Sequence, residues 1–308
     1  MKIYIAVTDN DWYRFLSEKS EIDEVNFWQP GGKSQFRALK PGELFLFKLH
    51  SPYSKIAGGG FFAHSSILPV SLAWDVFEEG NGASSYQEMR KLIEQYRKTG
   101  SSLKDYKIGC IILTQPFFFN ENEWISAPEN WYPNIPTGKT YNTSTKIGRK
   151  LLEEVQLRLQ DRTKDLVEMI HEEPAKRYGE PVLIKPRLGQ GSFRVIVTDA
   201  YNRRGAVTQE KALPTLEAAH IKPFNESGPN YIWNGILFRS DIHRLFDKGY
   251  ATISPDYHFE VSRRIKEDFD NGETYYKMHG IKLHLPRKDE FKPKSEFITW
   301  HNENVYLG

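Results

Sequence analysis

A strongly charged segment from Ser144 to His171, followed by a stretch with two prolines and a glycine, divides this 308-residue chain. Its apolar residues recur at helical spacing, which predicts one long helix or two. The stretch after it, EEPAKRYGEP, is typical of a domain boundary because proline interrupts a helix. The length also exceeds what one core usually organises. We therefore predict an N-terminal domain at 1–143, a helical linker at 144–180 and a C-terminal domain at 181–308.

The composition is that of a folded chain. Its residues are 39% hydrophobic, 14% aromatic and 27% charged, and disordered chains lack that aromatic content. The net charge is only +2, so a surface that binds nucleic acid must be local. No apolar run is long enough for a membrane span or a signal peptide, so we expect a cytoplasmic protein with no membrane partner. The single cysteine, Cys110, lies in an apolar run and is expected in the core, which excludes disulfide or cysteine–zinc frameworks within one chain.

The first half has the pattern of a mixed α/β domain. KIYIAV near the N-terminus, ELFLFKLHSPYSKIAGGGFFA at 43–63 and KIGCIILTQPFFF at 107–119 predict strands. Two helices are predicted between them. One is DWYRFLSEK, capped by Asp9 or Asn10, and the other is SSYQEMRKLIEQYRKTG, ending at Gly100.

The second half places polar residues at the ends of short predicted elements. His220 ends the strand LEAAHI, Asn234 opens the strand NGILF, and His243 lies in the helix SDIHRLFDKG with Asp247 four residues later. Residues four apart share a helix face, so an imidazole nitrogen and a carboxylate can point at one place. Phosphodiester hydrolysis needs a base and a cation. We predict His220 as the base, Asn234 as the residue that holds the loop or orients His220, and His243 with Asp247 as ligands of a divalent ion.

Other elements of the second half surround those residues. PRLGQGSFRVIVTDAY predicts a short helix before them, YATISPDYHFEVS predicts a β-hairpin after them, and the tail from HGIKLHLPRK onward predicts short strands and turns. The remaining histidines lack such a setting and are expected to be structural: His50, His64, His171, His258, His279, His284 and His301.

The stretch from RLGQGSFRVIVTDAYNRRGAVT through LEAAHIKPF to NGILFRSDIHRLFDKGYATI resembles the HNH endonucleases, over roughly residues 185–265. The alanines before the first histidine, the Asn-Gly start of the second strand and the His-x-x-x-Asp-x-Gly ending all occur in register. The resemblance implies a ββα-metal module that cleaves DNA, with Mg²⁺ or Mn²⁺ as cofactor and with His220, Asn234 and His243 as catalytic residues. Many members carry an Asp or His ligand where this chain has Ala219, which leaves His243 and Asp247 as its two protein ligands. The zinc-binding cysteine pairs of many members are also absent.

The first half resembles the PUA superfamily, which includes EVE, ASCH and SRA-like readers of modified bases. The resemblance lies in the strand entry LKPGELFLFKL and the glycine-containing strand that follows. It implies a PUA-like mixed β-barrel or sheet that holds a flipped base between aromatic rings. The rings predicted for that pocket are Trp28, Phe36, Tyr53 and Trp74, and the basic residues predicted to contact DNA are Lys222, Arg239 and Arg244.

Together these features predict an α+β restriction-type endonuclease. Its N-terminal domain recognises a modified cytosine, of 5-methyl or 5-hydroxymethyl type, in double-stranded DNA. A homodimer would cut both strands. One alternative is a nicking or other HNH nuclease that does not depend on modification. The other is a nucleic-acid-binding protein whose HNH module is an inactive scaffold, an alternative that Ala219 leaves open.

Overall fold

The computed structural model describes residues 1–19, 21–97, 105–132, 134–170 and 188–308, and the side chains of 160–170 fall outside it. The chain divides into two compact units, Met1–Arg187 and Leu188–Gly308. In the described ranges no helix has the length and apolar character needed to cross a membrane. Gly100, His171 and the predicted boundary stretch EEPAKRYGEP lie outside the described residues.

The N-terminal unit is built on a sheet with helices around it. Its strands are β1 (Lys2–Thr8), β2 (Glu24–Gln29), β3 (Leu44–Leu49), β4 (Lys55–Pro69), β5 (Lys107–Phe118), β6 (Ile125–Ser126) and β7 (Gly138–Asn142). Its helices are α1 (Asn10–Ser17), α2 (Val70–Phe77), α3 (Tyr86–Gln95) and α4 (Lys146–Ile170). The strands and helices predicted for the first half are confirmed, and the charged segment forms one helix rather than two.

The sheet is mixed and open. Its strand order is β2-β5-β4-β3-β1-β7, with β6 paired to β4. β1 and β3 run parallel, whereas the other pairs are antiparallel. The edge strands β2 and β7 are short, at 6 and 5 residues, and in the described residues they do not pair with each other. The predicted mixed α+β fold is confirmed, but a closed PUA-like barrel is not formed, because closure requires hydrogen bonds between the two edges.

The core of this unit covers its central strands. Every residue of β3 is buried, as expected for an apolar strand packed on both faces, and Cys110 on β5 is fully buried. On α4, Leu151 and Val155 pack in the same core as Ile3 and Ile5. The first part of the segment predicted as a linker therefore belongs to the core of the N-terminal unit.

The C-terminal unit combines two strand pairs with helices. Its strands are β8 (Leu216–His220), β9 (Gly235–Arg239), β10 (Ala251–Ile253) and β11 (Phe259–Val261), paired antiparallel as β8–β9 and β10–β11. Its helices are α5 (Gln190–Ala200), α6 (Ser240–Asp247), α7 (Arg264–Phe269), α8 (Glu273–Tyr276) and α9 (Ser295–Asn304). The helix before His220, the two strands and helix around the predicted site, and the hairpin after it are confirmed.

The prediction of short strands and turns for the tail is wrong, because α9 forms there. α9 has no side-chain cap at its start, and its aromatic and β-branched residues are weak helix formers. Tertiary contacts stabilise it instead. The His301 ring stacks on the Phe246 ring with 3.7 Å between centroids, Nε2 donates to the Phe246 carbonyl at 3.1 Å, and Nδ1 lies 2.8 Å from the Thr252 hydroxyl oxygen. Burial lowers the pKa of His301 to about 4, so its ring is neutral near pH 7. His301 also lines a cavity together with His220 and His243, and its predicted structural role stays a prediction.

Candidate active site

A cavity of about 210 Å³ in the C-terminal unit collects three of the predicted site residues. His220, at the end of β8, and His243 and Asp247, both on α6, line it. Phe224 also lines it, and 64% of that residue is exposed. The hairpin β8–β9 and the helix after it thus bring together residues that are separated along the chain.

The local fold holds the His220 ring against α5. His220 lies opposite Gly235 in the β8–β9 pair. A Cβ at Gly235 would lie 2.5 Å from Val197 Cγ2 on α5, so glycine permits this close approach. The Phe193 ring on α5 then stacks on the His220 ring, with 3.8 Å between centroids and 8° between planes. This contact fixes the plane of the imidazole.

One nitrogen of His220 is held by a neighbouring side chain, and the other keeps a lone pair. Nε2 lies 2.8 Å from Asn230 Oδ1, while Asn230 Nδ2 donates to the Leu188 carbonyl at 2.8 Å. Because the amide oxygen faces the ring, the ring proton lies on Nε2 and Nδ1 keeps its lone pair. Burial lowers the pKa of His220; the Asn230 bond opposes this, and nearby His243 lowers the pKa further. His220 is therefore neutral near pH 7 and able to accept a proton.

Asn234 is fully buried and holds the loop that follows β8. Its Oδ1 accepts from the Lys222 backbone N–H at 2.9 Å, and its Nδ2 donates to the carbonyls of Lys222 at 2.9 Å and Pro229 at 3.0 Å. Of the two roles predicted for Asn234, this geometry is that of the loop-holding one. The hydrogen bond that orients His220 comes from Asn230, which the sequence reasoning missed.

His243 lies between two carboxylates. Its Nδ1–H donates to Glu217 Oε2 at 2.7 Å, and its Nε2 is 3.3 Å from Asp247 Oδ2. His243 Nε2 faces the carboxylate oxygen of Asp247, an arrangement that either a proton on Nε2 or a cation between the two atoms stabilises. Adjacent ligands of an octahedral ion with bonds near 2.1 Å are about 3 Å apart. His243 Nε2 and Asp247 Oδ2 therefore fit a divalent ion, and Glu217 is the outer carboxylate that such a histidine usually has.

The electrostatic surroundings of the Asp247 carboxylate are also compatible with a bound cation. Partial burial raises the pKa of Asp247; His243 opposes this rise and Glu217 adds to it. Ala219 is buried and offers no ligand atom. Across the described residues, no three His, Cys, Asp or Glu side chains are arranged to enclose a metal ion. The protein would thus supply two ligands and leave the other positions to water and phosphate oxygens.

Glu217 is the acidic residue of this site that the sequence reasoning missed. It lies on β8 in the same LEAAH segment as His220, and its partner His243 is 26 residues away in the chain. An acidic residue inside a short apolar strand was a signal that could have identified it, because such a side chain usually has a polar partner.

The basic residues predicted to contact DNA have different surroundings. Lys222 Nζ lies over the Trp300 ring, 5.2 Å from its centroid. The Arg239 guanidinium is bound by both carboxylate oxygens of Asp241, at 2.6 and 2.7 Å. Arg244 is exposed on α6. Arg239 thus already has an internal partner, and the predicted DNA contacts of Lys222 and Arg244 stay predictions.

The aromatic residues predicted for a base pocket also differ in their surroundings. Trp28 is only 8% exposed, and its Nε1 donates to the Asn81 carbonyl at 3.1 Å. Trp74 is partly buried on α2. The Trp28 ring is therefore buried, and its one polar atom already has a partner.

Phe36 and Tyr53 each have an aromatic neighbour of their own. Phe36 packs edge-on against Tyr4, with 4.9 Å between centroids. Tyr53 is 38% exposed, packs against Trp124 at 5.3 Å, and lines a cavity of about 290 Å³. Of the four predicted rings, Tyr53 is therefore the one that the structure places at a cavity described for this unit.

Comparison with known protein families identifies the domain that contains the C-terminal site. Residues 203–254 match the HNH endonuclease family, so this part of the chain is an HNH endonuclease domain. The matched range contains Glu217, His220, Asn234, His243 and Asp247. No curated protein matches the chain.

Two solved structures align with the chain at low similarity. One is a mutant of the ASCH protein from Zymomonas mobilis, at 12% identity and a TM-score of 0.31, covering 50% of this chain and 98% of that one. The other is the modification-dependent TagI restriction endonuclease, at 13% identity and a TM-score of 0.27, covering 93% of this chain and 77% of that one. At TM-scores below 0.5, neither alignment carries an argument about this protein.

Proposed function

We propose that this protein is a modification-dependent DNA endonuclease that reads a modified cytosine with its N-terminal unit and cleaves with its HNH domain. The observation that carries the nuclease part is one cavity holding a neutral, oriented His220 beside the His243–Asp247 pair. The reader part is supported by the PUA-like sequence features of the first half. HNH modules have little sequence preference of their own, so a second domain normally selects the DNA.

His220 acts as the general base. Its Nδ1 removes a proton from the attacking water, and Asn230 accepts the Nε2–H bond that orients the ring and stabilises its charged form. The Phe193 stack keeps the ring in that plane. Asn234 holds the adjoining loop, which keeps the base and the α6 residues at a constant separation.

His243 and Asp247 would hold a divalent ion, Mg²⁺ or Mn²⁺. Bound there, the ion would stabilise negative charge on the phosphate and on the departing oxygen. Glu217 accepts the Nδ1–H of His243 and so keeps Nε2 turned toward Asp247. Lys222 and exposed Arg244 would contact phosphates of the strand.

Glu217→Gln should weaken metal activation while leaving the ligands themselves in place. The amide cannot accept the His243 proton as strongly, so we expect the half-saturating Mn²⁺ concentration for cleavage to rise about 10–100-fold. Titrating Mn²⁺ in a cleavage assay measures this. Glu273→Gln, at an exposed position on α8, is the matched control and should leave the titration unchanged. An unaltered Mn²⁺ requirement in Glu217→Gln would remove Glu217 from the site.

Cleavage of matched DNA substrates tests the proposal as a whole. The full chain would be incubated with Mg²⁺ and with methylated, hydroxymethylated, phosphorothioated or plain duplexes of one sequence. We expect the methylated or hydroxymethylated cytosine duplex to be cut and the plain duplex to be spared. Equal cleavage of all four duplexes would mean that the nuclease recognises no modification. The form of the product tests the homodimer, because a dimer with one site per strand would give double-strand breaks rather than nicks.

A further inference from the structure

A second cavity, of about 560 Å³, lies entirely within the N-terminal unit. It opens at the ends of β1 and β3, and its apolar wall includes Val7 together with Trp131, Ile135 and Pro136 from the chain before β7. The Val7 backbone N–H donates to the Thr137 carbonyl at 2.8 Å, which ties that segment to β1. Its volume is within the roughly 300–1,000 Å³ usual for sites that bind small organic groups.

Lys48, at the inner end of this cavity, is a buried cation with few partners. Only 7% of the residue is exposed, and Nζ donates to the Leu49 carbonyl at 3.2 Å. No carboxylate among the described residues forms an ion pair with it. An ammonium has three N–H donors, and burial without a counter-charge destabilises its charged form, which here lowers the pKa of Lys48. An acceptor supplied by a ligand would offset that cost.

Trp131 adds a flat aromatic surface beside this charge. Lys48 Nζ lies 5.4 Å from the centroid of the Trp131 ring, and that ring is partly exposed to the cavity. None of the residues lining the cavity is Asp or Glu, so the cavity favours an electron-rich ligand over a cation. A planar ring with a carbonyl oxygen would use the lysine, the aromatic face and the apolar wall together, whereas a bare phosphate would use the lysine alone.

We propose that this cavity, the Lys48 cavity, receives one cytosine flipped out of duplex DNA, with its carbonyl oxygen on Lys48 Nζ and its ring against Trp131. The proposal rests on the function proposed above and places its reader pocket at residues other than the four predicted rings, Trp28, Phe36, Tyr53 and Trp74. Base flipping is the means by which proteins gain access to a single base of a duplex, and an aromatic face offsets the stacking that the base loses.

Fluorescence of 2-aminopurine next to a hydroxymethylated cytosine tests the Lys48 cavity in the full chain. The probe brightens when its neighbour leaves the stack, and the His220→Ala background keeps the DNA intact. We expect the fluorescence to rise when the protein binds this duplex. Lys48→Met and Trp131→Leu should abolish that rise and should bind the duplex about 10–100-fold more weakly. Lys33→Met, at an exposed lysine away from the cavity, is the matched control and should retain both.

Lys48→Met keeps the side-chain length and removes a desolvated charge, so its Tm should equal or exceed that of the parent protein. If Lys48→Met loses the fluorescence rise while keeping that Tm, the loss cannot be attributed to unfolding. The inference would be overturned if no duplex raised the 2-aminopurine fluorescence on binding. It would also be overturned if Lys48→Met and Trp131→Leu both retained that rise. Equally tight binding of free deoxycytidine monophosphate would overturn it as well, since the ligand would then be a nucleotide. If the wild-type chain still prefers modified DNA in those cases, the proposed function holds and the modified base is bound at another pocket.

Discussion

His220→Ala is expected to lower the DNA cleavage rate by about 10²–10⁴-fold, the usual contribution of a general base. The substitution removes the Nδ1 lone pair that accepts the proton of water, while the His243–Asp247 pair is untouched. Affinity for DNA should stay within about twofold, because His220 contributes no formal charge near pH 7. Single-turnover cleavage and a binding titration on the same duplex measure the two effects separately.

His258→Ala is the matched control for that substitution. His258 lies in the same unit, pairs with Asp256 at 2.9 Å and does not line the active-site cavity. It should cleave at the wild-type rate. If His220→Ala cleaves as fast as His258→Ala, His220 is not the base, and its hydrogen bond to Asn230 has no part in catalysis.

Asn234→Ala is expected to be the most destabilising substitution in the site. It removes a fully buried side chain and leaves the partly buried Lys222 N–H and the carbonyls of Lys222 and Pro229 without their partner. A fully buried group of this kind costs about 1–3 kcal/mol, and water can reach these partly buried groups, so we expect the free energy of unfolding to fall by roughly 2–5 kcal/mol in total. Urea unfolding of the full chain, followed by a signal from the C-terminal unit, measures this loss.

Asn230→Ala separates orientation from loop stability. Asn230 is partly exposed and makes one bond to His220 and one to the Leu188 carbonyl, so its loss should cost little stability. The imidazole loses its orienting partner, and misplacement of a catalytic group can lower a rate by about 10²-fold. Asn230→Ala should therefore be stable and slow. If Asn234→Ala were instead stable and slow, the roles of these two residues would be reversed.

Much of the candidate site follows from patterns within short stretches of chain. The spacing of His243 and Asp247 by four residues places both on one side of α6, and the Asn-Gly pair marks the start of β9. The strand and helix boundaries near His220 were predictable from apolar runs for the same reason. Such signals depend on neighbours in sequence, which a single sequence displays directly.

What the sequence did not reveal depends on contacts between distant segments. Glu217 meets His243 only because α6 packs beside β8, and Asn230 meets His220 only because the loop after β8 folds back. The burial of Trp28 depends likewise on the Asn81 carbonyl, 53 residues away. Whether the N-terminal sheet closes into a barrel depends on how its two edge strands end, and apolar alternation is the same in open and closed sheets.

Metal-dependent cleavage by the purified full chain tests the central claim most directly. A long duplex containing 5-hydroxymethylcytosine would be incubated with wild-type protein and with His220→Ala, each in Mg²⁺, in Mn²⁺ and with a chelator. The site described here predicts cleavage by the wild type with either ion, none with the chelator, and a loss of about 10²–10⁴-fold in His220→Ala. Cleavage that survives the chelator, or the absence of cleavage of both modified and plain DNA by folded wild-type protein that binds them, would contradict it.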